Sequence, residues 1–453
     1  MKPRHEQPIR IVGAGLAGAL LAIMLARRGF GVTVFERRSD PRSAETERGR
    51  SINLALAARG MRALEAAGLM DRVRPLLIPM RGRMVHDRAG GTSLHPYGQR
   101  EHEVIFSVSR ADLNRLLIEE AAQHPSVTLR FGHHCLGADV SRDVLRFRDA
   151  QAQAEYELPL TPAIAADGAG SAVRASLAFG GHVVAREDFL DHDYKELSIP
   201  AVAGKHALEP RALHVWPRGG YMLIALPNTD GSFTATLFLA RKGESSFTAL
   251  SAPGKAWEFF SREFPDAIAL MPAFTEEFRS HPQGQLGTVH TASFHAGGRV
   301  LLLGDAAHAI VPFHGQGMNA AFEDCLVLES LLERSPDWES LFTAFSDVRM
   351  PDTEAIAKMA IENYTEMRHT VLDSKFVRQK QLALELESRF PERFIPRYAM
   401  VMFHPEIPYG EALRRGAIQA GILEEVDASA GRSGQYDFAL AERLITQRLT
   451  PAR

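Results

Sequence analysis

Cysteine is scarce in this chain: Cys135 and Cys325 are the only two among 453 residues. That excludes a disulfide framework and a cysteine-built metal site, and no other cluster suggests a metal. It suits a reducing, cytoplasmic setting. No apolar run reaches the ~20 residues that a membrane-spanning helix needs. The first residues lead directly into a strand, without a secretory leader. Residues 412–453 read as helical and polar rather than as an apolar anchor. The expectation is a protein without a membrane segment. Neither charge sign dominates: 52 Lys and Arg against 55 Asp and Glu leave a net charge of -3. With no basic stripe, this argues against a nucleic-acid partner. Repeats and low-complexity tracts are missing too. The remainder is an ordinary globular composition, 45% hydrophobic and 24% charged, too long for a single core.

Against that background the glycines near the start carry information. Ile11-Val12 end an apolar strand, Gly13-Ala14-Gly15-Leu16-Ala17-Gly18 follow, and residues 19–28 are strong helix formers. A second strand over 31–35 ends at Glu36. Gly13 permits the tight turn, Gly15 lets the backbone approach a pyrophosphate, and Gly18 lets helix and strand pack closely. The helix start adds free amides and a positive dipole end. Glu36 is placed to accept hydrogen bonds from a ribose. Strand, helix, strand and acid fall in register, which points to a bound dinucleotide. A second such motif is absent.

The other informative stretch is 299–322, RVLLLGDAAHAIVPFHGQGMNAAF. A strand-like apolar run over 300–303 ends at Gly304-Asp305, a Pro- and Gly-rich loop follows, and a helix opens near Met318-Asn319. A carboxylate at a strand end, followed by exposed amides, suits a ligand with hydroxyls and a polarised ring.

The rest of the chain reads as interleaved. Alternating strands are expected over 80–95, and an amphipathic helix over 110–123 with Leu113, Leu116, Leu117 and Ala121 on one face. Strands follow over 127–131 and 163–166, and the pattern over 181–281 is β-rich, with strands at 213–217, 221–227 and 233–240. From 338 onward the chain is mostly helical. The fold expected is therefore α/β. A discontinuous Rossmann-like dinucleotide domain (1–79, 98–180, 285–345) carries an inserted, mainly antiparallel β-sheet substrate domain (80–97, 181–284) and a C-terminal helical region (346–453).

Together GAGLAG, SVSRADLNRLL, AADGAGSAVR and LLLGDAAHAIVPFHGQGMN resemble the single-component flavoprotein aromatic hydroxylases. The resemblance implies a para-hydroxybenzoate-hydroxylase-like fold around bound FAD, with NADPH and O2 as co-substrates. It implies FAD contacts from Gly13, Gly15, Leu16, Ala17, Gly18, Glu36, Arg37, Ala55, Arg110, Leu136 and Asp167. It also implies Asp305 on the ribityl chain and the backbone of Gly315, Gly317, Met318 and Asn319 facing the isoalloxazine. Nicotinamide would dock transiently at the surface. Arg37 and Arg38 read otherwise as surface charges, and Asp167 and Arg110 as turn and helix-start residues.

Residues 50–56, 81–87, 193–197 and 214–238 resemble more closely the branch that hydroxylates L-kynurenine to 3-hydroxy-L-kynurenine, a step of tryptophan catabolism and pyridine nucleotide biosynthesis. A flavin hydroperoxide would deliver the oxygen, and the aniline nitrogen of kynurenine activates its own ring. Arg83 is the candidate for the substrate carboxylate, because a guanidinium grips a carboxylate in a fork. The resemblance adds Tyr97, Asn363 and Tyr398 at the polar end. Leu213, Met222, Ile224, Leu226 and Phe238 alternate on strands and would present one apolar face. Pro312, Phe313 and His314 would close the pocket beside the ring system. His314 is the candidate for a catalytic base, since an imidazole titrates near neutrality, but it reads more readily as a positioning or backbone group, and no catalytic residue is assigned. The tryptophan signature of flavin halogenases is absent. Two other readings stay open: hydroxylation of another aromatic acid or ubiquinone precursor, and a non-hydroxylating FAD-binding protein. A homodimer is compatible with all of them.

Overall fold

The computed structural model describes residues 8–43, 53–160, 162–369, 374–430 and 435–452. Of the stretch 50–56, residues 50–52 lie outside the described residues. Two compact units emerge, each assembled from separated stretches. Met1–Ile78, Phe106–Leu190 and Gln285–Ala357 form the first, and Pro79–Ile105, Asp191–Gly284 and Lys358–Arg453 the second. Of the C-terminal region 346–453, residues 346–357 fall in the first unit and the remainder in the second. The C-terminal helices bury Leu382, Leu386, Phe394, Ile422 and Leu444 in a small core and group with the β-sheet unit.

The first unit is built on a six-stranded sheet in the order His295–Ala296, Val300–Leu302, Ala163–Ala165, Ile9–Val12, Val32–Glu36, Val127–Phe131. All pairings are parallel except that of His295–Ala296. Its central strands read as aliphatic runs because a parallel sheet is covered on both faces. Ile11, Val34, Ile164 and Leu301 are fully buried beside Leu21 and Leu25 of the helix Leu16–Arg27. Three strand ends bring Gly13, Asp167 and Asp305 to the same edge of this sheet, the usual place for a ligand in an open α/β sheet. An antiparallel sheet of His133–Asp139, Val144–Asp149 and Ala154–Pro159 was not read from the sequence.

The second unit centres on a seven-stranded sheet in the order Gln283–Thr291, Ala185–Ile199, Phe233–Ala240, Met222–Pro227, Ala212–Pro217, Gly82–His86, Thr92–Pro96. Four short helices, Phe247–Leu250, Lys255–Glu263, Pro265–Ile268 and Phe274–Ser280, correct the expectation of a β-rich run to 281. Phe259, Phe260, Phe264 and Phe274 in and between them imitate strand composition, and three of the four helices have seven residues or fewer, too short to display a helical period. These rings pack on Trp216, Leu223, Leu237 and Leu239 from one face of the sheet. Register places the opposite parity together. Arg83 pairs with Leu213, Met222 with both Pro217 and Phe238, and Ile224 with Val215. Arg83, Leu213, Met222, Ile224, Leu226 and Phe238 therefore share the sheet face that does not form this phenylalanine core.

Candidate cofactor and substrate sites

In the first unit the glycine loop is fixed by its own backbone. Gly13 has φ +101, and a Cβ there would collide with the carbonyl of Ala166. A Cβ on Gly18 would collide with the carbonyl of Gly13, whereas at Gly15 the space is open. Gly15 caps the helix Leu16–Arg27, so open space lies at the end where free amides attract a phosphate. Glu36 is buried, with Oε2 accepting from the amide of Ala14 at 2.9 Å and Oε1 from the amide and side chain of Arg38 at 3.0 and 2.8 Å. Burial opposes its charge, but Arg38 and these amides more than offset that, and its pKa falls below the ordinary carboxylate value. Asn114 braces the loop from the helix Arg110–Gln123, donating to the carbonyl of Ala14 at 2.9 Å.

Asp167 follows the strand Ala163–Ala165. Its Oδ1 is buried without a hydrogen-bond partner, and burial raises its pKa. Arg174, itself buried, spans two loops by donating to the carbonyls of Ala169 at 2.5 Å and Ala306 at 2.9 Å. Asp305 opens a one-turn helix behind Gly304, whose φ is +61. The single turn Pro312–His314 ends at Gly315, φ +66, and buries Phe313 and His314. Asn319 lies fully buried in the first turns of the helix Gly317–Leu332. Its side chain accepts from the amide of Ala57 at 2.9 Å and donates to the carbonyls of Ala55 and Gly315, each at 2.8 Å. Arg110 and Arg37 are exposed, and Leu136 is half-buried on the strand His133–Asp139.

In the second unit Arg83 is 7% exposed and Tyr97 likewise. The rings of Tyr97 and Tyr398 stack with centroids 5.6 Å apart, and the guanidinium carbon lies 5.8 and 5.1 Å from their centres. Arg83 Nη1 approaches Glu366 at 3.6 Å. Burial works against the charge of Arg83, but Tyr398, Tyr97 and Glu366 outweigh it and its pKa is raised. Even so, Arg83 Nε and the Tyr97 hydroxyl are buried without hydrogen bonds. Burial drives the pKa of Tyr97 well above its ordinary value, so the hydroxyl keeps its proton. Asn363, 4% exposed, lies one helical turn before Glu366 on the helix Trp338–His369. Lys380, on Ser374–Arg389, completes the group. Burial and then the nearby charge of Arg83 push it down to about 8.

On the other face of the same strand, His86 bonds Asp266 through Nδ1 at 2.9 Å and His214 through Nε2 at 2.8 Å. Its ring stacks on Trp216 at 4.0 Å, and Trp216 donates to Asp266 at 2.8 Å.

A family model described as an FAD binding domain matches residues 6–335. The chain is 46% identical to a kynurenine 3-monooxygenase of Stenotrophomonas maltophilia over 98% of this chain and 97% of that protein. It is also 46% identical to one of Xanthomonas axonopodis pv. citri, over 100% and 99% respectively. The chain belongs to the kynurenine 3-monooxygenase family. Among solved structures, p-nitrophenol 4-monooxygenase from Pseudomonas putida aligns with a TM-score of 0.66 at 18% identity, covering 85% of this chain and 94% of that one. A 2-methyl-3-hydroxypyridine-5-carboxylic acid oxygenase aligns with a TM-score of 0.64 at 19% identity, covering 80% and 92%. These two likenesses establish the fold, that of the flavoprotein aromatic hydroxylases. FAD is the cofactor of the kynurenine 3-monooxygenase family's binding domain, and the residues present fit it: open space at Gly15 above a helix start, a buried carboxylate at Glu36, an unpartnered Oδ1 at Asp167, and Asp305 at a strand end. No helix among the described residues is long and apolar enough to cross a membrane.

The structure thus brings Gly13, Gly15, Gly18, Asp167 and Asp305 to one edge of the first sheet, and Arg83, Tyr97 and Tyr398 into one cluster of the second unit. Sequence reading missed Asn114, Arg174, Glu366 and Lys380. Arg174 stood inside the motif AADGAGSAVR, and Glu366 stood at i+3 from Asn363. Both signals were available.

Proposed function

We propose that this chain hydroxylates L-kynurenine to 3-hydroxy-L-kynurenine, consuming NADPH and O2, with one oxygen atom entering the ring and the other leaving as water. The observation that carries this reading is the buried Arg83 with its free Nε, beside the free hydroxyl of Tyr97, at the edge of an apolar sheet face. A carboxylate accepts from both, and charge-assisted bonds of this kind are the strong ones. Asn363 and Tyr398 complete the polar end, and Glu366 offers the opposite charge that an α-ammonium needs. Phenolic acids and quinone precursors lack that zwitterionic head.

Leu213, Met222, Ile224, Leu226 and Phe238 supply apolar surface for the aryl ring and keep water from it. When bound, FAD supplies acceptance of hydride from NADPH and activation of O2. Glu36 and the amides after Gly15 would hold its adenosine and pyrophosphate, and Asp167 and Asp305 would lie where its hydroxyls are met. Pro312, Phe313 and His314 shape the loop beside the isoalloxazine. The protein's part is orientation and exclusion of water, because the aniline nitrogen already makes the ring carbon nucleophilic.

The decisive assay measures NADPH oxidation with and without L-kynurenine, together with the product mass. A kynurenine-dependent gain of one oxygen is expected. Kynurenine-independent oxidation with no hydroxylated product would overturn the reading.

A further inference from the structure

One buried carboxylate of the first unit touches none of the groups assigned so far to cofactor or substrate. Asp324 lies on the helix Gly317–Leu332, two turns beyond Gly317, and is 0% exposed. Its Oδ2 accepts from the backbone amide of Gly304 at 2.9 Å and from His308 Nε2 at 2.6 Å. Its Oδ1 accepts from Arg349 Nε at 2.7 Å. His308 is 6% and Arg349 1% exposed. A carboxylate that met no partner there would be very costly. Here both oxygens are engaged and one cation faces it.

The position of Gly304 explains why this matters. The strand Val300–Leu302 ends with the amide of Leu303 still bonded to Ala165. At Gly304 the chain then turns with φ +61 and ψ -140, a conformation that only glycine adopts without strain. A Cβ there would stand 3.1 Å from Ala321 and 3.6 Å from Ala17. Gly304 is thus wedged between the helix that starts at the glycine loop and the helix that carries Asp324. The next residue is Asp305. The amide that leaves the sheet at this corner is received by Asp324, and His308 closes the far end of the same one-turn helix on the same oxygen.

We propose that Asp324, with His308 and Arg349, is a positioning residue for the cofactor site. It sets the direction in which Asp305 leaves the sheet, and hence the affinity for FAD, without touching the cofactor. This rests on the assignment of Asp305 to FAD. The residue that would meet the cofactor, Asp305, and the residues that aim it are then distinct, and Asp324, His308 and Arg349 are sealed in the core.

The test compares Asp324→Asn with Glu323→Gln in full-length protein stripped of FAD. Glu323 bonds Arg349 at 2.8 Å and Arg59 at 2.7 Å, so its loss disturbs the same arginine while leaving the Gly304 amide engaged. An asparagine at 324 cannot accept from Gly304, His308 and Arg349 together, because its amide nitrogen only donates. FAD titration by flavin fluorescence should give a Kd raised at least about tenfold for Asp324→Asn and within about twofold of wild type for Glu323→Gln. Thermal melting of both apoproteins reports the structural cost separately. Equal Kd values for Asp324→Asn and wild type would overturn the proposal, as would equal loss of FAD affinity in the two variants. Should Asp324→Asn fail to fold, His308→Leu carries the test, with a Kd raised about threefold expected and an unchanged Kd fatal. Failure of the wild-type protein itself to bind FAD would instead sink the cofactor assignment.

Discussion

Two polar clusters, the one that braces the cofactor loops and the one around Arg83, are used in opposite ways. Around the cofactor loops, Asn319, Asn114, Arg174 and Asp324 are buried or half-buried, and their polar atoms are taken up by the protein's own backbone and charges. Around Arg83, two buried donors are left without partners. A buried polar group that is satisfied internally stabilises one arrangement of the loops. One left unsatisfied costs stability until a ligand meets it. A tightly held cofactor calls for loops that never let go, and a substrate that must leave as product calls for donors that can be given back.

The comparison is broken most severely at Arg83. Arg83→Met should raise the KM for L-kynurenine by about thirtyfold or more, since truncating a buried charge partner costs roughly 2–5 kcal/mol. FAD affinity should stay within about twofold. A KM close to wild type would dismantle the assigned head-group site. Next in size is Asn319→Leu, which strips partners from the backbone at Ala55, Ala57 and Gly315. Its stability should fall by about 3 kcal/mol, read as an earlier melt, with weakened FAD binding and little effect on kynurenine affinity once FAD is saturating.

Tyr97→Phe sharpens the contrast, because it removes a hydroxyl that has no partner. The free protein should melt no earlier than wild type, while KM rises roughly five- to tenfold, the value of about one hydrogen bond. An early melt would mean the hydroxyl is a structural group after all. The smallest effect expected is one of pH. Lys380, pushed down to about 8, carries its charge below that pH and loses it above. Attraction for the substrate carboxylate is therefore present at pH 7 and fades as pH rises through 8, so KM should climb a few-fold by pH 9. Lys380→Met should flatten that profile, and a profile identical in both proteins would remove Lys380 from the site.

The two regions also differ in how far they could be read in advance. The turn at Gly13 to Gly18 was legible because a tight strand-to-helix connection demands glycine at fixed positions, and Glu36 and Asp305 could be placed at strand ends because each closes a short apolar run. Arg83 and the alternation through Leu213, Met222 and Phe238 were legible because strand parity is a local rule. Asp324 was not, since a lone carboxylate in a helix looks solvated until the fold turns it toward Gly304. Lys380 hid for the same reason, on a helix whose polar residues resemble an ordinary wet face. The helices between 247 and 280 were lost to their own phenylalanines, whose partners lie on distant strands.

The strand Gly82–His86 has one more consequence. Arg83 projects from one side of the sheet, while three residues later His86 is clasped from the other by Asp266, His214 and Trp216. Because strand parity has a period of two, this clasp serves as a ratchet for the arginine. A point change here alters one contact, but inserting or deleting a single residue would turn the guanidinium toward the phenylalanines and the imidazole toward the substrate. Length, more than composition, is what this segment has to keep.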